Sequence, residues 1–286
     1  EELAQVGRLA ERTRRQVRIG VRFNPDVTAE THPFISTGQS GIKFGVPADQ
    51  VGDVVRVLAA SPRLELVTIA MHIGSQLLDV EPYREAVRRL VEELAELRAL
   101  GVTSVEALDI GGGLGIRYGR EEPLQADAFA EALLPLLAPT GLAVHLEPGR
   151  FLVGAAGLLL ATVLYRKEAA GKVFVVVDAG MTEMVRPSRY AAYHHIVPAC
   201  ERAGAVETVD VVGPVCETGD FLALDRPLPP TRPGDVLAVL GSGAYGFVMA
   251  SQYNARPRPP EILVERGEAR VVRARETIAD LLRGEE

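Results

Sequence analysis

The amino-acid sequence predicts an α/β domain of the βα-barrel type followed by a mainly β domain. Three observations carry that expectation. From residue 17 to about residue 150, apolar strands alternate with amphipathic helices, the pattern of parallel βαβ units. Near residue 154 the pattern changes to strand after strand with Pro and Gly between them. The predicted parallel strands also end in glycine, proline or functional side chains, which is where a βα barrel keeps its chemistry. The division is placed at 1–153, half of such a barrel, and 154–286, a β-rich domain with a short closing helix.

Each element has its own signal. Glu1 to Arg15 is charged and amphipathic, so the chain opens in a helix and not in a signal peptide. "VRIGVRFN" (17–24) reads as a strand and "ADQVGDVVRVLAAS" (48–61) has helical spacing. "LELVTIAMHIG" (64–74) is a buried strand, and the long helix "VEPYREAVRRLVEELAELRALG" (80–101) stops at Gly101. "VEALDIGG" (105–112), "DAFAEALLPLLAPTG" (127–141) and "LAVHLEPG" (142–149) add a strand, a helix and a strand. Beyond them, "AGLLLATVLYRKEAAGKVFVVVDAG" (156–180) reads as two strands around a turn near Gly171. Strands follow in "TVDVVGPVCE" (208–217), "DVLAVLG" (235–241) and "EILVERGEARVVR" (261–273), then a helix in "RETIADLLRG" (275–284).

Composition narrows the function. A net charge of −7 argues against nucleic acid as a partner. The longest apolar stretch, 151–165, is too short and too glycine-broken to span a membrane. Two cysteines, Cys200 and Cys216, make no disulfide framework, which points to a reducing cytoplasm. Cys200 lies in a largely apolar run and reads as structural. Cys216, in the polar loop "GPVCETGD" (213–220), reads as a reactive thiol.

The strand ends hold the remaining candidates. "DIGGGLG" (109–115) follows an apolar strand, and three readings compete for it. A dinucleotide fingerprint needs G-x-G-x-x-G; from Gly111 the sixth position is Ile116 and from Gly113 it is Tyr118, so neither frame fits. A monophosphate held by backbone N–H groups and a tight turn without a ligand both stay open. "HLEPGR" (145–150) joins a carboxylate, a turn and an arginine, and Glu147 paired with Arg150 is its structural reading. His72 ends an apolar strand, where a histidine is more often a satisfied core residue.

Taken together, the motifs resemble one family. "RFNPD" (22–26), "HPFISTG" (32–38), "KFG" (43–45), "HIGSQ" (72–76), "LDIGGGLGI" (108–116), "EPGR" (147–150), "VDAGM" with "RPSRYAAYH" (177–194), "GPVCETGD", "GAYG" (243–246) and "YNARPRP" (253–259) stand in the order found in diaminopimelate decarboxylases. The resemblance covers nearly the whole chain. It implies an alanine-racemase-type barrel with a β domain, pyridoxal 5′-phosphate as cofactor, and decarboxylation of meso-2,6-diaminopimelate to L-lysine and CO2, the last step of lysine biosynthesis. It assigns Glu147 to the pyridinium nitrogen, His72 to the ring, and Ser75, Gly111, Gly112, Gly113, Pro148, Gly149 and Arg150 to the phosphate side. Arg150, Arg186, Tyr190 and Glu217 match substrate ligands, and Tyr245 matches a tyrosine near cofactor and substrate. Cys216 matches the proton donor. The resemblance further implies a homodimer in which Cys216 and Glu217 complete the neighbouring site.

Alternatives remain. A decarboxylase of ornithine or arginine is the nearest, but such relatives carry an aspartate directly after the cysteine, where this chain has Glu217. The family also carries its cofactor lysine in a Tyr-Ala-x-Lys-Ala stretch, which this sequence lacks. Of Lys43, Lys167 and Lys172, the last two read as solvated charges at a turn. Four predicted barrel strands instead of eight, at roughly 25–30 residues per unit, lead to the expectation that about a hundred N-terminal residues precede this chain in its parent. The alternative is a non-catalytic fragment that binds a phosphate ligand.

Overall fold

The computed structural model describes residues 1–28, 37–38, 41–201 and 204–285. The motif residues 32–36 therefore lie outside the described residues. The chain forms two compact units, residues 1–116 with 121–151, and residues 117–120 with 152–286. The break falls at 151/152. The short loop 117–120 belongs to the second unit although it is flanked on both sides by the first.

In the first unit, α1 (Glu2–Thr13) precedes β1 (Val17–Asn24) and β2 (Val46–Pro47). Then come α2 (Val51–Ala59), β3 (Leu64–Ala70), α3 (Glu81–Ala99), β4 (Ala107–Asp109), α4 (Ala126–Leu137) and β5 (Ala143–His145). The sheet runs β2-β1-β3-β4-β5 with every pair parallel. It has five strands where four were expected. The extra one, β2, is two residues long and pairs Phe23 with Val46 and Asn24 with Pro47, too short to leave a periodic trace. Sequential neighbours joined by helices are the barrel-type winding the sequence predicts. Val87, Leu90 and Leu94 of α3 share one buried core with Leu66 and Ile69 of β3 and Leu108 of β4. The strands stop earlier than their apolar runs, so residues 71–76, 110–115 and 146–148 are free to form loops.

One core position breaks the pattern. Glu93, on α3, is buried, and its Oε2 has no hydrogen-bond partner among the described residues. Burial, with Glu96 and Glu92 beside it, pushes its carboxyl up to about 8. The folded chain thus holds this proton up to about pH 8, whereas the unfolded chain releases it near 4.5. Stability from this group is full below pH 4.5 and falls as pH rises towards 8. Glu93→Gln is expected to gain about 1–3 kcal/mol over the native protein at pH 9 and little at pH 4. Urea unfolding at both pH values checks this, and an advantage that does not grow with pH contradicts it.

In the second unit, α5 (Gly149–Val153) crosses the division, and β6 (Leu158–Ala169) and β7 (Lys172–Val177) form a hairpin. Its turn is Ala170-Gly171, both with positive φ (50° and 76°), as a two-residue turn matched to strand twist demands. Then follow α6 (Arg186–Tyr190), β8 (Ile196–Pro198), β9 (Glu207–Val212), β10 (Phe221–Leu228) and β11 (Val236–Leu240). The six-stranded sheet is ordered β10-β9-β7-β6-β11-β8. β8 and β10 were not anticipated, since β8 ends in Pro198 and β10 contains Asp225, Arg226 and Pro227. The predicted strand 261–273 is a hairpin, β12 (Glu261–Glu265) and β13 (Glu268–Arg273), turning at Arg266-Gly267. The closing helix α7 (Ile278–Leu281) is shorter than expected, with Thr277 and Asp280 forming a capping box. Among the described residues no helix is long and apolar enough to cross a membrane.

Candidate active site

In the first unit, the carboxyl ends of β3, β4 and β5 bring His72, the three glycines and Glu147 together. Glu147 donates its backbone N–H to Gly111 O at 2.8 Å. Gly111 donates to Asp109 Oδ1 at 2.9 Å, and Gly112 to His72 Nδ1 at 3.2 Å. The glycine run is required by close approach. A Cβ on Gly112 would lie 2.0 Å from Glu147 O, one on Gly111 2.4 Å from Met71 O, and one on Gly113 2.3 Å from Gly74 O. Gly111 and Gly113 also have φ of +70° and +101°, which side chains disfavour. The loop therefore packs between two other strand ends, and its first two amides are engaged within the protein.

Because His72 Nδ1 accepts, its neutral form carries the proton on Nε2. Burial and then the charge of Arg22 lower its pKa, against a smaller opposite pull from Asp109. Arg22 donates to His72 O at 3.0 Å, and the charge of Glu147 favours its guanidinium against a larger lowering by burial. Among the described residues Glu147 has no ion pair within 4 Å, so the Glu147–Arg150 pair weighed from the sequence does not form. Arg150 instead donates from Nη2 to Ser75 Oγ at 2.9 Å.

Four supporting residues escaped the sequence reading. Asp109 and Arg22 act as above. Gln76 clasps Ile116 from both sides, donating to its carbonyl at 2.6 Å and accepting its N–H at 3.2 Å. Buried Tyr83 donates to Gly112 O at 3.0 Å. Arg22, Gln76 and Asp109 stand inside motifs quoted from the sequence without a role of their own, whereas Tyr83 lies outside them.

The second unit holds the other candidates. Cys216 and Glu217 are exposed on the loop between β9 and β10. Buried Asp220 shapes that loop by accepting the N–H groups of Met181 and Val215, both at 2.6 Å. Tyr253 donates to Glu217 at 2.9 Å, which raises the phenol's pKa, and Asn254 Nδ2 lies 3.8 Å from Cys216 Sγ. Arg186 is buried at the start of α6, where its Nη1 lies 2.6 Å from His194 Nε2. Tyr190 ends that helix, half-buried, and Tyr245 is exposed with φ +58°. Cys200 is also exposed, which corrects its reading as a core residue. Lys172 is not simply solvated, for it pairs with Asp210 at 2.9 Å. No cluster of metal-ligating side chains occurs among the described residues.

Comparison with known proteins adds the family. Residues 1–154 match the model of the pyridoxal-dependent decarboxylase pyridoxal-binding domain. The chain is 45% identical to the diaminopimelate decarboxylase of Aquifex aeolicus, covering 96% of this chain and 66% of that protein. It is 42% identical to that of Pseudomonas aeruginosa, covering 100% and 68%. The chain thus spans about two thirds of the length of these relatives. Among solved structures, diaminopimelate decarboxylase from Helicobacter pylori complexed with L-lysine superposes with a TM-score of 0.94 at 41% identity, over 99% of this chain and 70% of that one. A viral arginine decarboxylase superposes with a TM-score of 0.77 at 18% identity, which shows the shared fold alone. With 42–45% identity along its whole length, the chain belongs to the diaminopimelate decarboxylase family of pyridoxal-dependent decarboxylases.

Proposed function

We propose that the protein carrying this chain decarboxylates meso-2,6-diaminopimelate to L-lysine and CO2 with pyridoxal 5′-phosphate. The observation that carries this reading is identity above 40% to diaminopimelate decarboxylases along the whole chain. The strand ends of the first unit fit the cofactor. A glycine loop without room for a Cβ, a neutral imidazole, a serine hydroxyl and an exposed carboxylate lie on neighbouring loops, the carboxylate having no ion pair among the described residues. When bound, the cofactor supplies an electron sink for the pair left as CO2 departs.

The residues take these roles. Glu147 holds the proton of the ring nitrogen by charge pairing. His72, with its Nδ1 accepting from Gly112, would border the cofactor ring as a neutral imidazole. The Ser75 hydroxyl and the Gly113 and Arg150 backbone amides would hold the phosphate, while Gly111, Gly112, Pro148 and Gly149 would shape the cradle. Arg150, Arg186 and Tyr190 bind the substrate, the arginines by their forked donors, which suit a carboxylate. Glu217 holds the distal ammonium, and Tyr245 borders both cofactor and substrate. Cys216 Sγ delivers a proton to the carbon that lost CO2. A cytoplasmic homodimer in which Cys216 and Glu217 complete the partner's site is part of this reading, supported by their exposure on one loop.

Turnover of diaminopimelate compared with ornithine tests the substrate; preference for ornithine rejects it. Sedimentation tests the dimer, and a fully active monomer rejects a shared site. Cys216→Ala is expected to slow product formation roughly a hundredfold with cofactor loading unchanged. Undiminished turnover removes the thiol from the reaction.

A further inference from the structure

His194 is fully buried in the second unit, and its two ring nitrogens face groups of opposite demand. Nδ1 lies 2.9 Å from Leu240 O, which can only accept, so Nδ1 carries the proton. Nε2 lies 2.6 Å from Arg186 Nη1, which can only donate, so Nε2 presents a lone pair. The neutral Nδ1–H tautomer alone meets both. A second contact holds the same guanidinium. The Tyr118 ring lies 4.6 Å from Arg186 Cζ and packs edge-on against His194 at 5.0 Å between centroids. Gly241, next to Leu240, makes room for that ring: a Cβ there would sit 3.1 Å from Tyr118, at φ +68°.

We infer that His194 is a positioning residue for carboxylate recognition: with Tyr118, it fixes the Arg186 guanidinium on one edge and one face before substrate arrives. This rests on the reading of Arg186 as a carboxylate ligand of the substrate. A guanidinium already held in one rotamer loses less freedom on meeting a carboxylate. The effect therefore falls on affinity for carboxylate-bearing ligands more than on the chemical step.

The test uses the holoenzyme and two ligands, L-lysine, which has a carboxylate, and cadaverine, which lacks one. In His194→Phe, calorimetric affinity for L-lysine is expected to fall about tenfold, with cadaverine unchanged, since one buried hydrogen bond to a charged group is lost. The KM for diaminopimelate is expected to rise by a similar factor, with kcat changed less. His194→Gln, which keeps an acceptor, is expected to restore most of the L-lysine affinity. Equal weakening of both ligands, or L-lysine affinity as in the native protein, overturns the inference. If His194→Phe does not fold, nitrogen NMR of the native protein decides, because an Nε2–H tautomer at His194 overturns it too. Arg186→Gln separates the two layers. If this variant keeps the L-lysine preference, the reading of Arg186 fails. If it loses the preference while His194→Phe keeps it, the positioning role alone fails.

Discussion

Glu147→Gln is expected to lower diaminopimelate turnover by roughly a hundredfold or more, the loss of a charged partner at a reacting ring. The substitution is nearly isosteric. The fold uses the backbone of Glu147, whose N–H meets Gly111 O, while the side chain is exposed and has no ion pair within 4 Å among the described residues. The melting temperature is therefore expected to move little while kcat collapses. A variant that keeps turnover within a few-fold returns Glu147 to a structural role, as the neighbour whose charge favours the half-buried Arg22.

Gly112→Ala is expected to cost about 2–4 kcal/mol of stability and to weaken cofactor binding, because a buried clash against backbone has no flexible atom to yield. The clash is with Glu147 O, so relief requires the ends of β4 and β5 to separate. Gly52→Ala, in α2 with open space around its Cβ position, serves as a control and is expected to gain about 0.5–1 kcal/mol. Thermal unfolding of both variants, with pyridoxal phosphate titration of the first, reads the contrast. Equal stability of the two overturns the close-approach account of the glycine run.

Much of this was legible in the amino-acid order. The helices of the first unit and the β6–β7 hairpin declared themselves, because apolar spacing and turn glycines are local signals. The family was legible through ordered motifs at strand ends. What stayed hidden depends on long-range contacts. β2 consists of two residues whose only strand property is a partner 23 positions earlier in the chain, Phe23 for Val46. Gln76 holds Ile116, Tyr83 holds Gly112, and His194 holds Arg186 against Tyr118. None of these side chains carries a local mark of its job. What the glycine run packs against was hidden for the same reason. Its spacing excluded a dinucleotide, but its tightness answers to Met71, Gly74 and Glu147, which only folding brings near.

Tyr118 also bears on modularity. It reaches the second unit from a four-residue excursion between two stretches of the first, and there it braces Arg186 and His194. A gene cut at 151/152 would give a β unit without that brace, and a first unit with a loop left dangling. Recombination at the apparent border would therefore transfer an incomplete part, even though each unit has its own core.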